Sequence, residues 1–128
     1  YTKILNIEAL TMVDMAKKDI LPAITAYVKD LADTAKLSKE CGANAKFETE
    51  LVKKLSELEF EIYEKLSALE SDIATATGIE DIGEAANYYH DVVFTAMGEL
   101  RAPADEAEKL CGEKYWPYPT YGKMLFYV

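Results

Sequence analysis

The chain has 128 residues, 50% of them hydrophobic, and its 23 acidic residues outnumber its 14 basic residues, for a net charge of −9. A chain of this length forms one domain and buries roughly two-thirds of its unfolded surface, so a self-supporting core is feasible. The acidic balance argues against nucleic acid as a partner, because phosphate binding needs clustered Lys and Arg, and it also disfavours anionic lipid.

The lack of a recognisable targeting signal and the usage of cysteine predict a cytosolic protein. No apolar run approaches the roughly 18 residues that span a bilayer, and the N-terminus lacks the basic-then-apolar plan of a secretory signal. Cys41 and Cys111 are far apart, without a second Cys or a His at metal-ligand spacing, so we expect two free thiols. The sequence begins at Tyr1 without an initiator Met, which fits either a piece of a longer protein or N-terminal processing.

The first long helix is predicted over residues 6–40. Asn6 is the candidate N-cap, although the two residues before it could equally belong to an extended lead-in. Pro22 lies inside the helical pattern and lacks the N–H that would bond to Lys18, so we expect a bend just before the proline without a break. Apolar residues recur at helical spacing at Leu10, Val13, Ile20, Ile24, Tyr27 and Leu31.

The second helix, predicted over residues 45–77, has the clearest pattern. A short connection precedes it, in which Gly42 suits a left-handed helix stop and Asn44 suits the next N-cap. Its apolar residues repeat every eleven positions, a spacing that favours a nearly straight helix over a left-handed coiled coil. The stripe consists of Phe47, Leu51, Leu55, Leu58, Ile62, Leu66, Leu69 and Ile73.

The third helix is predicted over residues 82–111. Gly78 ends the preceding helix, and Asp81, with a Glu three residues later, opens this one as a capping box. Pro103 either kinks the helix or starts a new one. Gly112 closes the pattern. The expected buried stripe consists of Tyr89, Val93, Ala96, Met97, Leu100, Ala104 and Ala107.

Two short turns between three long helices predict an all-α, up-down-up antiparallel three-helix bundle over residues 1–114. Residues 115–128 then form an extended C-terminal tail, because two closely spaced prolines prevent a helix there. The tail holds the only tryptophan and several tyrosines, whose large rings need a surface to cover. It either straps this bundle or anchors onto another domain or subunit. The candidate docking residues are Tyr115, Trp116, Pro117, Tyr118, Pro119, Tyr121 and Phe126.

The sequence carries no recognisable catalytic or metal site. His90 is the only histidine, whereas a di-metal bundle would need Glu-x-x-His motifs on two helices, so we expect His90 at the surface. There is no glycine-rich phosphate loop and no activated nucleophile in a known setting. Acidic pairs such as Glu57 and Glu61 belong to the solvent-exposed face of an amphipathic helix. We therefore expect no catalytic residue, metal or cofactor in these 128 residues.

Both ends of the chain resemble a known enzyme family. Leu5 to Pro22 (LNIEALTMVDMAKKDILP), Leu100 to Asp105 (LRAPAD) and Tyr115 to Gly122 (YWPYPTYG) are similar to the C-terminal region of type III glutamine synthetases. The likeness covers both ends of the chain, whereas the charged middle helix matches only in character. One departure concerns Lys123, which stands where the family's tail is expected to carry an acidic residue.

The resemblance implies a role within a larger enzyme. Type III glutamine synthetases are bacterial and cyanobacterial ligases that join ammonia to glutamate using ATP and Mg, and they assemble from two stacked hexameric rings. Their catalytic residues lie upstream, so the resemblance carries none over to this chain. It implies an accessory helical domain that contacts the catalytic domain and neighbouring subunits of a homo-oligomer, and that self-associates when isolated.

Two other functional hypotheses remain open on the sequence. One is a free-standing helical adaptor that binds a protein partner through its Tyr, Trp and Pro tail, where such residues commonly dominate binding. The other is a small enzyme or metal carrier, which lacks any convergent set of candidate residues.

Overall fold

A computed structural model describes residues 1–119, and within them the chain forms three long helical rods and no strand. The predicted all-α bundle is confirmed. Two of the rods each contain one turn of π-helix. The first rod consists of α1 (Thr2–Met15), π1 (Ala16–Ile20) and α2 (Leu21–Glu40), the second is α3 (Lys46–Thr77), and the third consists of α4 (Ile82–Tyr88), π2 (Tyr89–Val93) and α5 (Phe94–Leu110).

Polar pairs between the rods fix their directions. Lys17 of the first rod pairs with Glu70 of α3, and Thr25, further along the same rod, donates a hydrogen bond to Glu59. Higher numbers on the first rod therefore face lower numbers on α3, which is the antiparallel arrangement that a short connection requires. The first and third rods run parallel to each other on either side of α3.

The first rod begins earlier than the sequence pattern indicated. Its helix starts at Thr2, and Asn6 lies inside it, so the prediction that Asn6 caps this helix is wrong. The Asn6 side chain instead accepts a hydrogen bond of 3.0 Å from the hydroxyl of Tyr89 on the third rod. This bond satisfies the amide oxygen of Asn6 in a partly buried position. Asn6 therefore links the first and third rods, whereas the sequence pattern suggested a helix end at this residue.

Neither internal proline divides its rod. The chain takes up one π turn just before Pro22, and the N–H of Leu21 bonds to the carbonyl of Ala16, five residues back. A wider turn is one way for a helix to accommodate a residue that cannot donate. Pro103 lies inside α5, which settles the alternative left open above in favour of one continuous helix.

The two connections follow the expected capping chemistry in most respects. Gly42 has φ of +80° and ends α2, with bonds back to the last turn from its own N–H and from that of Ala43. This is a Schellman stop, as Gly42 predicted. Asn44 lies one residue before the N-cap of α3, but its side chain accepts a bond of 2.9 Å from the N–H of Lys46.

The third rod begins and ends differently. Asp81 caps α4 as predicted, because its carboxylate accepts a bond of 2.9 Å from the N–H of Glu84. At the other end, α5 stops at Leu110 because Cys111 adopts an extended backbone, with φ of −75° and ψ of 138°. The helix thus ends two residues before Gly112, as its position predicted, and Gly112 does not have a positive φ.

The core lies along α3, which the other two rods flank. Six members of the predicted α3 stripe, from Leu55 to Ile73, are buried, and Leu51 is half-buried. Phe47 is 69% exposed, so its place in that stripe is wrong. Lys65 of α3 pairs with Glu99 of α5. Because the two helices are antiparallel and α5 continues for eleven residues after Glu99, its end lies level with about residue 54 of α3. Phe47 lies beyond that level and has no third rod to cover it.

Small residues matter more in the first rod than its pattern suggested. Leu10, a member of the predicted stripe, is 49% exposed, whereas Ala9 and Ala16 are buried. Alanines at these positions let the rods approach closely, since there is little side chain between the backbones. The predicted stripe of the third helix is buried except at Ala104, which is half-buried.

Candidate docking site

The chain folds back on itself after α5, and we call residues 112–119 the strap. A turn at its start is closed by bonds from the N–H groups of Tyr115 and Trp116 to the carbonyl of Gly112. Gly112 leaves room for two aromatic rings, because an added Cβ would lie 3.2 Å from atoms of both Tyr27 and Tyr115. The strap thus begins in a turn, where the sequence predicted an extended tail.

Tyr115 holds the first part of the strap against α2. Its ring lies 4.9 Å from that of Tyr27, centroid to centroid, at an interplanar angle of 38°. Its hydroxyl donates a hydrogen bond to Asp30, and this bond is the main cause of its raised pKa. The ammonium of Lys114 lies 5.0 Å from the centre of the same ring.

Trp116 and Tyr118 hold the rest of the strap. Trp116 is only 8% exposed and belongs to the hydrophobic core. Tyr118 donates a hydrogen bond of 2.6 Å to Asp19 on the first rod. Desolvation, followed by that bond and the nearby carboxylate charge, raises the pKa of Tyr118 to about 12. The strap therefore runs back along the first rod, from the level of Asp30 to that of Asp19.

The structure divides the predicted docking residues into three groups. Tyr115, Trp116 and Tyr118 pack against the bundle of this same chain, which is the strap alternative raised by the sequence. Pro117 and Pro119 are exposed between and after them. The two remaining candidates, Tyr121 and Phe126, lie outside the described residues, as does Lys123.

An open groove runs between the first and third rods, with the strap at one end. Its volume is about 520 Å³. It extends from Ile7 to Ile20 on the first rod, a distance of about 20 Å along the helix. Apolar side chains form most of its lining. They are Ile7, Met12, Met15, Ala16, Ile20, Ile62, Met97, Leu100, Ala104, Trp116 and Tyr118.

The polar residues of the groove lie along its two sides. Glu8 comes from the first rod, and Arg101, Asp105 and Glu108 come from α5. Arg101 is the only arginine of the chain. Among residues 1–119 it forms no ion pair within 4.0 Å, although Asp105 follows it by one helical turn. The groove thus combines an apolar floor with three carboxylates and one unpaired guanidinium.

Sequence reasoning missed this groove, although a signal for it existed. A second apolar row, Ile4, Ile7 and Met15, runs beside the buried row of the first rod at steps of three and eight. An amphipathic helix needs only one stripe for its own core, so a second row indicates another contact surface. The opposite wall comes from α5, which only tertiary packing brings into register.

Within residues 1–119, no three His, Cys, Asp or Glu side chains are grouped closely enough to hold a metal ion. His90 is exposed, and its Nδ1 lies 2.9 Å from the carboxylate of Asp91. Cys41 is exposed and Cys111 is buried, both are unpaired, and burial raises the pKa of the Cys111 thiol. A raised pKa makes a thiol less nucleophilic at neutral pH.

None of the helices within residues 1–119 is both long and apolar enough to cross a bilayer.

Comparison with known proteins shows that the chain is similar to part of an enzyme family. The model of the glutamine synthetase C-terminal domain matches residues 1–39. Across 98% of its length, the chain is 41% identical to a glutamine synthetase of Butyrivibrio fibrisolvens, of which it covers 18%. Residues 1–39 therefore match a glutamine synthetase C-terminal domain, and nearly the whole chain aligns with a glutamine synthetase. The chain is also 26% identical to a type-3 glutamine synthetase of Dictyostelium discoideum, with the same coverage of both chains.

These matches confirm the resemblance seen in the sequence, and the aligned span includes the charged middle helix. The chain spans only 18% of the length of the curated relatives that it matches. No solved structure matches it.

Proposed function

We propose that the chain is a non-catalytic accessory domain that helps to hold a glutamine synthetase assembly together. The observation that carries this proposal is that a chain aligned with one part of glutamine synthetases has an apolar groove on its surface. Nearly the whole chain aligns with synthetases while filling 18% of their length. The described part presents an apolar groove, and no three of its His, Cys, Asp or Glu side chains are placed to hold a metal ion.

The chemistry of the whole enzyme is also part of the proposal. We propose that the parent protein ligates ammonia to glutamate with ATP and Mg, and that the residues for this reaction lie outside this chain. The described carboxylates do not fit a Mg site, since no three of them converge. This domain is therefore given an architectural role in contact with the catalytic domain and neighbouring subunits of a homo-oligomer.

The contacts of the strap favour the accessory-domain hypothesis over an adaptor that binds its partner through the tail. Trp116 is buried against the bundle, and the hydroxyls of Tyr115 and Tyr118 are bonded to carboxylates of the first rod. An adaptor that bound its partner through these rings would first have to break those contacts. The groove, in contrast, is not filled by any of residues 1–119.

The proposal is tested by removing residues 1–128 from the parent synthetase and measuring the molar mass of the remaining enzyme by sedimentation. We expect a smaller assembly than that of the intact enzyme, and recovery of the larger one when the separate domain is added back. An unchanged molar mass would argue against a role in assembly. Ligase activity or ATP binding by the purified 128-residue chain would overturn the non-catalytic assignment.

A further inference from the structure

The groove exposes apolar surface that residues 1–119 leave uncovered. Ile7 is 63% exposed, and Ile4 beside it is exposed to a similar degree. Three of the four methionines in the chain line the groove, namely Met12, Met15 and Met97. Methionine is unbranched and adaptable, and it is common on surfaces that receive another chain. An apolar surface of this kind, bordered by charged residues, is typical of a protein contact site.

The charges beside the groove restrict its occupant. The groove is lined by three carboxylates, Glu8, Asp105 and Glu108, and by one cation, Arg101, on a chain whose net charge is −9. An occupant that carries Lys or Arg beside its apolar side chains gains from this field, whereas an acidic one is repelled. A second copy of this chain is disfavoured for the same reason, since a two-fold contact would bring the acidic borders of both copies together.

The aligned relatives indicate where such a segment comes from. More than four-fifths of each relative's length lies outside the part that this chain covers. The first-rod side of the groove, from Ile7 to Ile20, lies within residues 1–39, the part that the family model matches. The remainder of such a synthetase therefore supplies ample chain for an occupant.

We infer that the groove receives an apolar segment with flanking Lys or Arg from the rest of the synthetase, either the same polypeptide or a neighbouring subunit. This inference rests on the proposed function and names the surface through which the domain is attached. The apolar side chains of the segment cover Met12, Met15 and Met97, and its cations lie against the three carboxylates.

Site-specific crosslinking in the intact synthetase tests the inference. A photoreactive p-benzoylphenylalanine replaces Ile7 at the edge of the groove, and in a control variant it replaces Phe60. Phe60 is 60% exposed and lies in a separate depression beside Leu21 and Tyr63. After irradiation, mass spectrometry identifies the crosslinked peptides. We expect the Ile7 probe, and not the Phe60 probe, to capture a peptide from outside residues 1–128 that contains Lys or Arg.

Charge reversal tests the second half of the inference. Glu8→Lys combined with Glu108→Lys in the Ile7 probe enzyme should reduce the yield of that crosslink about tenfold, because two attractive contacts become repulsive. Glu61→Lys, on the outer face of α3, is the matched control and should leave the yield unchanged. An equal effect of both reversals, or no effect of either, overturns the assignment of a basic segment.

The outcomes separate this inference from the proposed function. Capture of residues 120–128, of a second copy of this domain, or of no peptide overturns the groove assignment. If removal of the domain still reduces the molar mass of the assembly, the accessory role stands and only its contact surface is wrong. If removal leaves the assembly intact, the proposed function itself fails.

Discussion

Trp116 connects the strap to the core more firmly than any other residue of the strap. It is 8% exposed and belongs to the same buried cluster as Leu100 and Ile24. Gly112 lies at the start of the turn that brings it there, and a Cβ at that position would lie 3.2 Å from both Tyr27 and Tyr115, so these rings would have to shift by a few tenths of an ångström. Gly112 and Trp116 therefore both bear on the path of the chain after α5.

Trp116→Ala should reduce the free energy of unfolding by about 3 kcal/mol, the lower part of the range for a buried aromatic ring. The groove beside Trp116 is already open, so the substitution adds to an existing space and encloses no new cavity. Urea denaturation measures the change. Phe60→Ala, which truncates an exposed ring, is the control and should cost less than about 0.5 kcal/mol. Equal effects of the two substitutions would contradict the strap.

Tyr118 should make the strap sensitive to alkaline pH. Folding raises its pKa from 10.0 to about 12, chiefly by desolvation and then by the bond to Asp19. The folded state therefore holds this proton more tightly, so the stabilisation is complete below pH 10 and is lost as pH rises from 10 to 12. Tyr118→Phe should flatten the fall in unfolding free energy over that window, relative to a Tyr63→Phe control. A fall as steep as in the control would exclude this role for Tyr118.

At the scale of elements, α3 supplies the shared wall of the core. Its stripe is buried wherever two other rods flank it and becomes exposed at Phe47, where the third rod has ended. Two π turns occur in the flanking rods, one just before Pro22 and one at Tyr89–Val93, where there is no proline. The first of them follows from the missing N–H of proline; we have no physical account of the second.

Two members of the same predicted stripe should respond differently to truncation. Ile62→Ala removes a fully buried side chain at the middle of α3 and should cost about 2–5 kcal/mol of unfolding free energy. Phe47→Ala removes a larger but 69% exposed side chain and should cost less than about 0.5 kcal/mol. Thermal or urea unfolding distinguishes them. A comparable loss at Phe47 would mean that this end of α3 is covered in solution.

The whole molecule combines an open apolar groove with a strongly acidic surface. The groove favours association of the isolated domain, whereas the net charge of −9 opposes it. These two effects respond differently to salt, because ionic strength screens the repulsion between exposed charges and leaves apolar contact in place.

The isolated domain should therefore self-associate weakly, and more strongly at high salt. Sedimentation velocity at about 0.05 M and 0.5 M NaCl measures the effect, since the Debye length shortens severalfold over this range. Met12→Gln and Met97→Gln together should reduce the association, because they place amides on the groove floor. A strict monomer at high concentration in both buffers would contradict this expectation.

Much of the fold follows from local sequence patterns. Hydrophobic spacing identifies the three rods, and Gly42 and Asp81 specify two of their ends through bonds within a few residues of each position. These features can be predicted from the sequence because their physical causes lie within one or two helical turns. The family resemblance was legible for a related reason, since it rests on contiguous strings of residues.

The remaining features depend on contacts between residues far apart in the chain. Asn6 has the chemistry of a cap, but a hydroxyl 83 residues away takes up its side chain within a helix. The buried alanines of the first rod, the exposure of Phe47 and the walls of the groove all follow from the register and relative lengths of the rods. Hydrophobic spacing specifies which face of a helix is buried, but only tertiary packing decides how far along that face the neighbouring rods extend.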